Sequence, residues 1–240
     1  LDVEVRWIER QAVVTSIGAP AAAAAGLKVG DVITAVDGEP MTARIARLLP
    51  LTSASTEATR YRNVLQSAIG GPAGDAAFTV SRAKGVTATL RIPRAAAWTP
   101  PTPPPGLPYR LIGDDLGYVV LNDLTIAQVG PMFEALQGTK AIIFDMRGYP
   151  QSTAWAIAPR LNTKQARFGA MFHRRFYDPR DGGGDATTLE FMQALPPAMG
   201  AIYPGKTVML IDDRTQSQAE HTGLFFEAAN GTKFIGTPSA

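Results

Sequence analysis

The chain has 240 residues, 45% of them hydrophobic and 18% charged, which is enough apolar material for one or two globular cores. A formal charge of +2 without a long basic or acidic run makes nucleic acid a poor partner, and the lack of cysteine excludes disulfides and thiolate metal sites. No apolar run approaches the roughly 20 residues of a membrane-crossing helix, and the two histidines are not spaced as metal ligands, so neither metal nor cofactor is expected.

In chain order, five short apolar runs read as strands: VEVRWI, AVVTSI, DVITAVDG, AAFTVSR and TATLRIP. Between the third and fourth, TEATRYRNVLQSAIG sets Ala58, Tyr61, Val64, Leu65 and Ala68 at helical spacing and stops at Gly70-Gly71. A unit of five strands and one such helix predicts a small β-rich barrel or sandwich. Residues 19–38, APAAAAAGLKVGDVITAVDG, are more specific. A short alanine-rich helix ends at Gly26, Leu27 enters a core, and KVGD leads into a strand over Val32–Val36. Asp37-Gly38 then makes a tight turn.

WTPPTPPPGLP, residues 98–108, holds six prolines and cannot join a ladder or a helix interior. It predicts a stiff polyproline spacer between units 1–97 and 109–240. Beyond it, strands and helices alternate. LGYVVLND is a strand, TIAQVGPMFEALQG a helix stopped at Gly138, and KAIIFDMRG a strand apolar enough to be buried on both faces. STAWAIAPRL is a helix, residues 163–204 read as irregular, and DPRDGGGDA reads as a mobile loop. KTVMLID, QAEHTGLFFEAA and TKFIG follow as strand, helix and strand. Such alternation predicts a parallel sheet with helices packed on it.

Chemistry concentrates around Ser217. With Glu220 three residues on, before an apolar run, Ser217 makes a capping box, which needs no catalysis. The same serine follows a buried strand and opens a helix, at the sheet edge where α/β sites lie. A helix N-terminus offers free N–H groups and partial positive charge to an oxyanion. A second strand, Ala141–Asp145, ends in the sharp turn DMRGYPQS, whose amides can supply another donor. His221 lies one helical turn after Ser217 and reads as structural, because an i,i+4 pair seldom places a base behind its own nucleophile. His173 reads as a surface or substrate contact. Asp145 and Arg147 read as a strand end and its ion pair, Asp212 and Asp213 as turn charges.

Residues 19–38 resemble the PDZ signature A-x-x-A-G-L-x-x-G-D-x-I-x-x-V-D-G, and the resemblance extends over most of residues 1–95. It implies a module that takes an extended peptide as an added strand. The implied groove lies between residues 11–17, with Val13, Val14 and Thr15 at the peptide, and the helix at 57–69.

The chain as a whole resembles the S41 serine peptidases of the C-terminal processing and tricorn-core type. AIIFDMRGYP matches G-L-I-L-D-L-R-G-N-P-G-G, VMLIDDRTQSQAEH matches V-V-L-V-N-x-x-S-A-S-A-x-E, and TKFIGTPSA matches the strand beyond. The resemblance implies a β-rich PDZ domain followed by an α/β crotonase-like (ClpP-like) domain, incomplete at both ends. It places the nucleophile on Ser217, its matched acid on Glu220, one oxyanion N–H on Gln218 and the other in the bend from Gly148 to Gln151 and Ser152. Where the family has Gly-Gly, this chain has Gln151-Ser152, so side chains crowd the bend and positive φ is harder to reach. The family's base is either a lysine about two dozen residues after the serine, beyond Lys233 and past the end of this sequence, or a histidine ahead of the PDZ domain. The wording SQAEH favours the second. The implied substrate is a polypeptide or unstructured tail, the protein a periplasmic or secreted bacterial one, compatible with homo-oligomers. A catalytically inactive peptide-binding scaffold on the same fold is the alternative. An acyl-CoA enzyme fits less well, given the PDZ half and the lack of a second glycine-rich oxyanion loop.

Overall fold

The computed structural model describes residues 1–95, 105–176 and 187–240. The chain divides into two units between Pro104 and Pro105. Most of the expected spacer, 98–104, and the expected mobile loop at 178–186 lie outside the described residues.

The first unit is one open antiparallel sheet. Strand β1 (Val3–Ile8) returns into β2 (Gln11–Ile17) through Glu9-Arg10, both at positive φ (49° and 63°) as a two-residue hairpin turn requires. Helix α1 (Pro20–Ala24) opens on a proline, which has no N–H to leave unsatisfied, and gives way to Gly26 at φ 91°. Strand β3 (Val32–Val36) turns through Asp37-Gly38, at φ 53° and 80°, into the two-residue β4 (Glu39–Pro40). After α2 (Met41–Leu48) and α3 (Glu57–Ile69) come β5 (Gly74–Ser81) and β6 (Thr87–Arg94). The sheet order is β1-β2-β3-β5-β6, with β4 on β3.

Two expectations change here. The strands form no barrel or sandwich, because α2 and α3 complete the core that a second sheet would otherwise supply, with Met41, Ile45, Val64 and Leu65 packed among Val5, Val14, Ile33 and Phe78. And α2 is a third helix, over residues the sequence reading leaves without one. It spaces Met41, Ile45 and Leu48 along one side, while Arg44 reaches the carbonyl oxygens of Ala68 (2.8 Å) and Val36 (3.2 Å).

The second unit is a five-stranded sheet in the order β13-β12-β9-β8-β7. Strand β7 (Tyr109–Ile112) is antiparallel to β8 (Leu116–Val120). Then β8, β9 (Ala141–Asp145), β12 (Lys206–Ile211) and β13 (Lys233–Gly236) run parallel. Helices α4 (Ile126–Leu136), α5 (Ala154–Leu161) and α6 (Gln218–Asn230) make the crossovers. Phe133, Phe144, Phe225, Phe226 and Tyr203 are fully buried in its core. Gly231, left-handed at φ 80°, ends α6. The segment expected to be irregular contains a ribbon of its own, β10 (Phe168–Phe176) antiparallel to β11 (Thr187–Ala194). Among the described residues no helix is long and apolar enough to cross a membrane.

Candidate active site

Strands β9 and β12 are parallel neighbours, with Leu210 opposite Asp145, so their connections to α5 and α6 leave the same sheet edge side by side. Both strands end in Asp-x-Arg. Asp145 accepts from Arg147 Nε (2.9 Å) and Nη2 (2.7 Å), and Asp212 from Arg214 Nη2 (2.8 Å). Each aspartate also accepts the backbone N–H two residues on, at 3.1 and 2.9 Å. These carboxylates shape turns, as expected. Burial works to raise the Asp145 carboxyl, but the Arg147 guanidinium and the Tyr118 hydroxyl, 2.5 Å away, hold it below the usual carboxylate range. Burial and the same contact push the Tyr118 hydroxyl up.

The two connections are stitched together. The Met146 N–H donates to Leu210 O (2.9 Å), and Thr215 Oγ1 donates to Met146 O (2.8 Å) while accepting from the Asp212 N–H (3.1 Å). Just beyond Thr215, Ser217 caps α6. It is exposed and held at φ 54°, ψ −113°, a backbone that L residues seldom adopt. Glu220 Oε2 accepts the Ser217 N–H at 2.9 Å, and Glu220 Oε1 accepts from Ser239 Oγ at 2.7 Å. Glu220 therefore fixes the serine's backbone; its acid is spent on positioning. Gln218 takes the first helical position, where a backbone N–H has no acceptor within the helix.

Opposite lies the bend after β9. Gly148 sits against the Asn122 side chain, and its N–H donates to Met146 O at 2.7 Å. Gln151 Nε2 donates to Asn122 O (2.8 Å). Ser152 adopts φ 58° despite carrying a side chain, and its Oγ accepts from Gln218 Nε2 at 3.1 Å. The structure thus brings together Ser217, Gln218, Gln151, Ser152 and Glu220. It leaves Gly148 beside them with its amide already bonded. The left-handed bend that seemed hard to reach without glycine is present.

The His221 side chain is engaged away from Ser217. Its Nε2 bonds to Gln193 Oε1, its ring packs among Trp155, Phe172 and Phe225, and burial lowers its pKa. His173 pairs with Glu190 across the β10–β11 ribbon, both exposed. Lys233 opens β13 opposite Val208, set back from the edge that carries Ser217. Among the described residues no group of three or more His, Asp or Glu could hold a metal.

The peptide-contact residues need correction. Val13, Val14 and Thr15 lie on β2, which pairs with β1 on one side and β3 on the other. Val14 is fully buried, its N–H donates to Asp31 O (2.9 Å), and its carbonyl accepts from the Gly30 N–H (2.8 Å). An enclosed strand cannot take an added one. The strand beside α3 is instead the outer β1, with Trp7 stacked on Tyr61 at 5.1 Å. Alternation marked β2 as a strand but says nothing about its place in the sheet.

Comparison with known proteins adds the following. The PDZ domain family matches residues 13–60. No curated protein matches the chain. Among solved structures, mature CPAF is similar over 100% of this chain and 68% of its own, at a TM-score of 0.67 and 12% identity. Mature CPAF complexed with lactacystin covers 100% and 69%, at 0.65 and 13%. A putative S41 protease from Bacteroides fragilis covers 100% and 63%, at 0.46 and 14%. At these identities the likeness to CPAF is one of fold. The PDZ match bears out the PDZ resemblance of the first unit, and the chain shares the fold of mature CPAF.

Proposed function

We propose that this chain is the PDZ-bearing part of a serine peptidase acting on polypeptides or unstructured tails. The observation that carries the reading is Ser217, exposed at a left-handed φ where β12 hands over to α6, with its neighbour Gln218 bonded to the bend after β9. In this reading Ser217 Oγ attacks a peptide carbonyl and its proton passes to a base. The oxyanion rests on the Gln218 N–H and an amide of the bend. The amine leaves with the base's proton, and water then cleaves the acyl ester and restores Ser217. Neither His221 nor Lys233 stands where that base is needed. The second unit acts as the crotonase-like catalytic part; the first offers β1 and α3 to the peptide. Export to a bacterial periplasm or beyond, and assembly into homo-oligomers, rest on family resemblance.

A second reading, an inactive scaffold, draws on the Gly148 N–H already held by Met146 O (2.7 Å). Fluorophosphonate labelling of the full-length protein, followed by mass spectrometry, separates the two. Label on Ser217, absent from Ser217→Ala, supports the peptidase. A folded, unlabelled protein that still captures peptides supports the scaffold.

A further inference from the structure

The bend after β9 holds a conformation that its own residues do not favour. Ser152 sits at φ 58°, where a β-carbon is crowded, in the place where the family motif has glycine. Such a backbone persists only where its surroundings over-determine it. Local capping does not supply that determination. The next residue, Thr153, stands at the N-cap of α5 yet makes no side-chain cap bond, and its buried Oγ1 has no hydrogen-bond partner among the described residues.

Two side-chain bonds do supply it, one to each flank. The sheet order β12-β9-β8 sets the bend between the segment after β8 and the start of α6. Gln151 Nε2 ties the bend to Asn122 O, at 2.8 Å, on the first flank. Gln218 Nε2 ties it to the second through Ser152 Oγ, at 3.1 Å. Gln151 and Ser152 are the residues that stand in for Gly-Gly, and both bond through their side chains.

Building on the peptidase reading, we propose that Gln151, Ser152 and the Gln218 side chain are positioning residues: a brace that holds the bend's amides at a fixed spacing from the Gln218 N–H, so that two oxyanion donors face one point without glycine. In this arrangement Gln151-Ser152 is a working substitute for the family's flexible pair, and Gln218 contributes twice, by its backbone and by its amide group.

The test uses the full-length protein and the rate of fluorophosphonate labelling at Ser217, with thermal unfolding as the fold control. Ser152→Ala and Gln218→Met, which keeps the length and removes the Nε2 donor, should each slow labelling about tenfold at an unchanged thermal midpoint. Because both remove one bond, the double variant should also be slower by about tenfold, not a hundredfold. Ser152→Gly should recover part of the rate, since glycine reaches the left-handed region unaided. Single variants within twofold of the wild type, or losses that multiply in the double variant, overturn the brace. A wild-type protein that takes no label overturns the peptidase reading and the brace together, before any variant is compared.

Discussion

His221 stands edge-on to Trp155, with ring centroids 5.2 Å apart, one helical turn below the serine that opens α6. Burial lowers the pKa of this histidine below its ordinary 6.5. Between the folded and unfolded pKa values the unfolded chain binds more protons, so stability is whole above about pH 6.5 and declines as the pH falls below it. Thermal midpoints taken from pH 8 down to 5.5 should drop, and His221→Phe should flatten that decline. An unchanged slope in the variant would assign the effect to other groups.

Asp31 and Arg82 join the loop before β3 to the end of β5. The carboxylate, nearly fully buried, takes Arg82 Nε at 2.8 Å and Nη2 at 2.9 Å, and Arg82 Nη2 also reaches Gly26 O. The Arg82 hydrogen bonds, against burial, hold the Asp31 carboxyl below its usual 3.8. Its contribution is therefore whole above that value and is lost as the pH falls from there through the lower folded pKa. Arg82→Ala leaves a buried carboxylate unpaired and should lower the urea midpoint. Urea unfolding at pH 7 and at pH 3.5 measures both: the deficit should be smaller at the second, where the variant's unpaired buried carboxyl takes up a proton.

Gly236 ends β13 at φ 133°, and a β-carbon there would collide with the Ile211 carbonyl oxygen. That oxygen belongs to the backbone of β12 and cannot swing away. Gly236→Ala should destabilise the second unit by more than about 2 kcal/mol, read as a lower urea midpoint. Gly138→Ala, where a β-carbon meets nothing within 4 Å, serves as the neutral control.

Much of this molecule can be read from residue order, and the gaps have physical causes. The buried strands AIIFD and KTVMLI announce themselves by unbroken apolar runs, and Asp37-Gly38 by its turn chemistry. Helix α2 was legible in the spacing of Met41, Ile45 and Leu48, but its few apolar positions among arginines gave a weak signal. The β10–β11 ribbon is harder to see, because large apolar groups such as Met171, Phe176, Leu189 and Met192 stay exposed and blur the alternation. That β2 is an interior strand and β1 the outer one is not legible, because edge or interior is decided by pairing partners. At the site, Ser217, Gln218 and the 148–152 bend were legible. The brace was not, since nothing in the order of residues says that Gln218 reaches Ser152.

The adjacency of β9 and β12 has a wider consequence. Neighbouring strands stand about 4.8 Å apart whatever their side chains, so the gap between the two handovers is set by the pleated lattice itself. Distant insertions, a longer ribbon or a different tether between the units leave that gauge untouched. Chains that share few residues can therefore keep one spacing at this sheet edge while nearly every other position drifts.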